Sequence, residues 1–123
     1  MSQQTRRRER LHPWRAAVRA AAEERWLPGS APMEKDLELV ITHFYQDDPI
    51  DVDNIVKPIL DSIKGLVYWD DVQITDLISR RRPLTGPFRI ESVSPVLADA
   101  FAQGREFLHI QITDPPPEGE LRF

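Results

Sequence analysis

Residues 51–71 read DVDNIVKPILDSIKGLVYWDD. Five of these 21 residues are aspartates, two separated by one residue at the start and two adjacent at the end. Between them Ile55, Val56, Ile59, Leu60 and Ile63 recur at helical spacing. That stripe predicts a helix over 51–64, with Asp53 as its capping group and Gly65 placed to end it. Pro58 is an awkward member, because past the first turn a proline removes a backbone hydrogen bond, so a bend or a later start near Lys57 is expected. On such a helix Asp53, Lys57 and Asp61, four residues apart, share one polar face opposite the isoleucines.

Working outward, the segment DLELVITHFY at 36–45 alternates and is rich in β-branched and aromatic residues, which predicts a strand. Before it, HPWRAAVRAAAEERW sets Trp14, Ala17, Val18, Ala21, Ala22 and Trp26 on one helical stripe with Pro13 suited to the first turn. After it, DVQITDLISRRRPL reads as a second strand, whose alternation would bury it against the same core, and EFLHIQIT as a third. SPVLADAFAQG between them predicts a short helix stopped by Gly104, and FRIESV is a further short strand. Residues 1–10 read as a flexible basic start, 11–113 as one domain, and the proline-rich DPPPEGELRF at 114–123 as a tail outside the core.

At 123 residues, 41% hydrophobic and 29% charged, the chain has the composition of one soluble globular domain with a modest core. No apolar run approaches the roughly 20 residues of a membrane span, and no apolar segment follows the first arginines, so a cytoplasmic protein without membrane attachment is expected. Cysteine is absent and the three histidines, His12, His43 and His109, are scattered, which excludes thiolate chemistry and makes oxygen the expected ligand of any metal. The net charge of −4 is unevenly spread. Residues 1–25 hold seven arginines against three glutamates, Arg80, Arg81 and Arg82 form a second basic cluster, and residues 34–76 hold eleven acids against three lysines. An acidic centre between basic arms results.

Taken singly, the acidic residues have ordinary explanations. Asp53 caps a helix, and Lys57 with Asp61 forms an exposed pair worth about a few tenths of a kcal/mol. Capping does not explain Asp51, Lys57 and the Asp70–Asp71 pair together. Carboxylates brought close repel one another unless a cation neutralises them, and hard oxygen ligands suit Mg²⁺, an ion that commonly works on phosphate esters. A calcium loop of the EF-hand type starting at Asp51 would need glycine and glutamate where Val56 and Ser62 stand. Tyr68 and Trp69, beside the aspartate pair, are expected to pack.

The stretch DVDNIVKPILDSIKGLVYWDDVQI resembles the signature of the RusA-type Holliday junction resolvases, with Asp51, Asp53, Asn54, Lys57, Asp61, Asp70, Asp71, Gln73 and Ile74 at the matching positions. The resemblance covers roughly Leu37 to Arg82 and implies an α+β fold in a single small domain, a mixed sheet of three to four strands packed with two to three helices. It implies a nuclease that cuts four-way DNA junctions by paired nicks as a homodimer, in recombination and repair. Asp51, Asp53 and Asp71 match the family's Mg²⁺ carboxylates, with Mn²⁺ as a possible substitute, and Lys57 matches a catalytic lysine. Asn54, Asp61 and Asp70 match supporting positions, and Arg81 falls where a basic residue often follows. Arg6, Arg7, Arg8, Arg80 and Arg82 join it as expected contacts to DNA phosphate. Members usually begin with a strand, whereas this chain enters its first helix almost at once. Two alternatives stand beside the nuclease: a DNA-junction or partner-binding module that no longer cuts, and a structural protein whose acids only cap and solubilise a helix.

Overall fold

The computed structural model describes residues 16–26, 29–47, 49–84, 104–117 and 119. The basic start with Arg6 to Arg8, Trp14, the helix expected after Ser94 and the short strand FRIESV lie outside the described residues.

Among the described residues three strands form one mixed sheet. The central strand β1, Leu37–Tyr45, pairs in parallel with β2, Ile74–Pro83, and antiparallel with β3, Phe107–Thr113. Alternation along β1 sends Leu37, Leu39, Ile41 and His43 to one face, and all four are fully buried there. Against that face lie two helices. The first, α1, is helical over residues 16–25 and contributes Val18, with Ala22 and Trp26 packed at the margin. The second, α2, is Val56–Ile63 and contributes Ile59, Leu60 and Ile63. On the partner strand, Leu108, Ile110 and Ile112 close the same core from the antiparallel side. On the opposite face Phe44 stacks on Phe107 with ring centroids 4.7 Å apart. The α+β arrangement of two helices and a three-strand mixed sheet is the expected one.

Helix α2 starts later than capping by Asp53 would have it. Its N-cap is Ile55, which offers no side-chain hydrogen bond, so Asp53 lies in the preceding turn and not on the helix. Pro58 explains the delay. With the helix beginning at Val56, the proline occupies the third helical position, where the backbone nitrogen has no intrahelical acceptor to lose. Lys64 leaves the helix in extended conformation and Gly65 follows at φ +82°, the left-handed geometry that glycine adopts without steric cost. The chain then turns through Val67 and Tyr68, where Met33 N–H donates to the Val67 carbonyl at 2.8 Å.

The second strand departs from the reading that alternation buries it. Among the described residues it is one of the two edges of the sheet, mostly exposed, and three residues of the segment, Asp71–Gln73, form a 3₁₀ turn before it. Its register against β1 slips between Leu37 and Glu38, where Thr75 is the extra residue of a bulge. Leu39→Ala, at the centre of the buried face, is expected to lower unfolding free energy by about 2–5 kcal/mol in urea titration. Pro58→Ala is expected to change it by less than about 1 kcal/mol, since the first-turn position asks nothing of the missing N–H.

Candidate active site

Two segments bring the motif residues to the sheet. The first is the turn after β1. Asn54 N–H donates to the Asp51 carbonyl at 3.0 Å, closing the turn, and buried Ile55 anchors it to the core. Ser79 of β2 donates its hydroxyl to the Val52 carbonyl at 2.6 Å, and Arg81 Nη1 lies 3.7 Å from Asp51 Oδ1. The turn is thus tied to the neighbouring strand, with Asp51 and Asp53 exposed at its surface.

The second segment is the corner from Tyr68 to Gln73. Asp70 accepts from Val72 N–H at 3.1 Å, and Gln73 returns the bond by accepting from Asp70 N–H, a reciprocal capping box around the 3₁₀ turn. The Gln73 side chain, 8% exposed, uses every hydrogen-bonding site it has. Its Oε1 accepts from the backbone N–H groups of Trp69 and Asp70 at 2.8 and 3.0 Å; its Nε2 donates to the carbonyls of Met33 and Lys35 at 2.8 and 2.9 Å. Beside it Tyr68, fully buried, places its hydroxyl 2.9 Å from Asp71 Oδ1 and 3.2 Å from the Leu60 carbonyl.

Between the segments stands Lys57, from the first turn of α2. Its Nζ is 3.0 Å from Asp61 Oδ1 and 3.4 Å from Asp71 Oδ2. The hydrogen bond and charge of Asp61, then those of Asp71, hold the lysine above its usual pKa, so it is a fixed cation at neutral pH. For Asp71, partial burial works to raise the pKa, but hydrogen bonds from Tyr68 and Lys57 and the charges of Lys64 and Lys57 outweigh it and keep the carboxyl ionised. Burial first, then the adjoining Asp71 carboxylate, pushes the Tyr68 hydroxyl well above its usual value, so it remains a donor.

The structure therefore brings Lys57, Asp61, Asp71 and Tyr68 together, and separately Asp51 with Arg81. Asn54 and Asp53 share the turn with Asp51. Among the described residues no group of three or more His, Asp or Glu side chains lies close enough together to hold a metal ion. The donor set is all carboxylate oxygen, which suits a hard divalent cation, but Asp51 and Asp71 are each drawn to a basic side chain of the chain itself. Arg80 and Arg82 are exposed on β2 and project from the sheet face opposite Arg81. The hydroxyl of Tyr68 and the strand-to-turn bond from Ser79 carry no signal in the periodicity; only the position of Tyr68, three residues before Asp71, hints at a contact.

A short helix following a central strand, a parallel neighbour, and a lysine set among carboxylates on the crossover make a small α+β domain with an acidic cluster on one connection. The family model described as Endodeoxyribonuclease RusA matches residues 1–91, and the chain belongs to that family. The match takes in the N-terminal stretch as well as the motif. The family consists of endodeoxyribonucleases that act on DNA junctions. Comparison with curated proteins and with solved structures gives no match.

Gln73→Met keeps the length of the side chain and leaves two N–H groups and two carbonyls without their partner; a loss of about 2–4 kcal/mol in urea unfolding is expected. The raised pKa of Tyr68 favours the protonated phenol in the folded state. Its contribution to stability is present below the ordinary tyrosine value of about 10 and is lost as pH climbs above it toward the folded value. Tyr68 is expected to resist ionisation in an alkaline absorbance titration until the protein unfolds, and Tyr68→Phe is expected to remove that resistant group. Asp71 acts in the opposite window: its contribution is present above the unfolded value of about 3.9 and fades as pH falls through the lowered folded value.

Proposed function

We propose that the protein is a Mg²⁺-dependent endonuclease that resolves four-way DNA junctions by paired nicks, working as a homodimer in recombination and repair. The observation that carries this reading is Lys57 held between Asp61 and Asp71, with Tyr68 behind the second carboxylate, in a chain of the RusA family. In this reading Asp51, Asp53 and Asp71 hold the ion, which when bound supplies Lewis-acid stabilisation of charge on the phosphodiester. Lys57, a cation through the neutral range, offsets negative charge that develops on the phosphate. Asp61 keeps the lysine directed toward Asp71. Asn54 and Asp70 hold the two backbone turns that carry the carboxylates. Arg80, Arg81 and Arg82, with Arg6, Arg7 and Arg8, supply phosphate contacts and make binding salt-dependent. Two opposed strands of a junction call for two symmetric sites, which is the support for a homodimer.

The test is cleavage of a labelled synthetic four-way junction beside linear duplex of the same sequence, with Mg²⁺ or with chelator. Wild type is expected to give paired symmetric nicks that require the metal, with duplex left intact. Asp53→Asn and Asp71→Asn are expected to abolish cleavage while retaining junction binding. Lys57→Ala is expected to lower the single-turnover rate by about 10²–10³-fold, the usual loss for one charge-stabilising group. Junction binding with no cleavage by wild type across a range of Mg²⁺ and Mn²⁺ would replace this reading with that of a binding module, toward which the pairing of Asp51 with Arg81 points.

A further inference from the structure

Large apolar side chains at the surface are unevenly placed. Among the described residues the exposed ones are Val52, Trp69, Val72, Leu77 and Ile78. The last two belong to the edge strand. The other three alternate with the candidate carboxylates: Val52 stands between Asp51 and Asp53, Trp69 directly precedes Asp70, and Val72 directly follows Asp71. Trp69 is 54% exposed and Val72 79%. The expectation that Trp69 packs is therefore corrected. Tyr68 takes the core position, and strand-like alternation at the corner sends its neighbour outward.

Single exposed hydrophobic residues need no explanation. A tryptophan does when its backbone is clamped at the point of a charged site. The Trp69 N–H is held by Gln73 Oε1, itself fixed to the start of β1 through two further bonds, so the indole is presented from an ordered corner. Little backbone freedom remains to be lost when something binds it.

The neighbourhood selects what that can be. Asp70 and Asp71 follow the indole in sequence and, without a bound cation, repel phosphate, which the arginines of β2 attract instead. An uncharged aromatic face is not repelled. In an intact duplex the faces of the bases are stacked and hidden; at a branch point they open.

We infer that Trp69 is a base-stacking contact of the site, taking the face of a nucleobase exposed at the branch point of a DNA junction, with Val52 and Val72 as further apolar surface among the carboxylates. The inference rests on the DNA-junction reading above. It assigns discrimination between branched and linear DNA to the corner, apart from the phosphate contacts. Stacking on an aromatic side chain tolerates any base, so the contact selects branch geometry in preference to sequence.

The experiment is equilibrium binding of full-length protein, in chelator so that nothing is cut, to a four-way junction carrying a fluorescent adenine analogue at the branch point and to linear duplex of the same sequence. Wild type, Trp69→Ala and Trp69→Phe are compared over a range of salt. Trp69→Ala is expected to weaken junction binding about tenfold, on the scale of one lost base stack. It is expected to leave duplex binding unchanged and to abolish the change in analogue fluorescence; Trp69→Phe retains part of each. Because stacking releases no counterions, the slope of log affinity against log salt should be the same for Trp69→Ala and wild type. Equal junction affinity for wild type and Trp69→Ala overturns the inference while leaving the nuclease reading in place. So does a loss that falls equally on junction and duplex, or one that sedimentation traces to a change in oligomeric state, which would make the indole a contact between copies of the chain. Failure of wild type to bind either DNA overturns both readings. Since the side chain is exposed, unchanged urea midpoints for the variants are expected and exclude misfolding as the cause.

Discussion

The side-chain amide of Gln73 is the joint on which the candidate site hangs. With two bonds accepted and two donated, it fastens the Trp69–Asp70 backbone to the carbonyls of Met33 and Lys35, just before β1 begins. One residue later β2 starts beside Leu37. The same four bonds therefore set where the parallel strands begin and where Asp70 and Asp71 stand relative to them. An apolar residue could fill the space; it could not satisfy the four partly buried backbone groups.

Charge is arranged around this joint by compensation. The acidic centre of the chain would be self-repelling, but its partly buried member, Asp71, faces a buried phenol and the Lys57 ammonium, while Asp51 faces Arg81. The phenol matters more than its neutrality suggests. By occupying Oδ1 it leaves Oδ2 as the oxygen presented to Lys57, so the two oxygens of one carboxylate have different duties. The pairs to Lys57 and Arg81 are exposed and weak by comparison.

Much of this was legible in the chain. The alternation of β1, the isoleucine stripe of α2 and the stop at Gly65 are local patterns, and local patterns carry over directly. Pro58 foretold a later helix start, and the helix does begin at Val56. The capping role given to Asp53 failed because the same proline that delays the helix leaves Ile55 as its first boundary residue. The exposure of β2 was hidden because alternation shows which residues share a face and is silent on whether a strand lies at the centre or the edge of its sheet. The four-residue spacing set Asp53, Lys57 and Asp61 on one helix face; Lys57 and Asp61 do pair there at 3.0 Å, while Asp53 lies in the turn before the helix. The spacing did not foresee Arg81 against Asp51, nor Tyr68 against Asp71, since both depend on how separate segments are laid side by side.

Parallel pairing of β1 with β2 means that no tight turn can join them; the connecting chain must cross the whole length of the sheet before it can pair. Every candidate carboxylate and Lys57 ride on that crossing segment. Ser79 reaches back 27 positions to the Val52 carbonyl, and Gln73 reaches back 40 to Met33. The candidate site is thus a product of long-range closure, built by the entropy already spent in bringing distant parts of the chain together. An isolated peptide of residues 51–74 would carry the whole signature and none of the site.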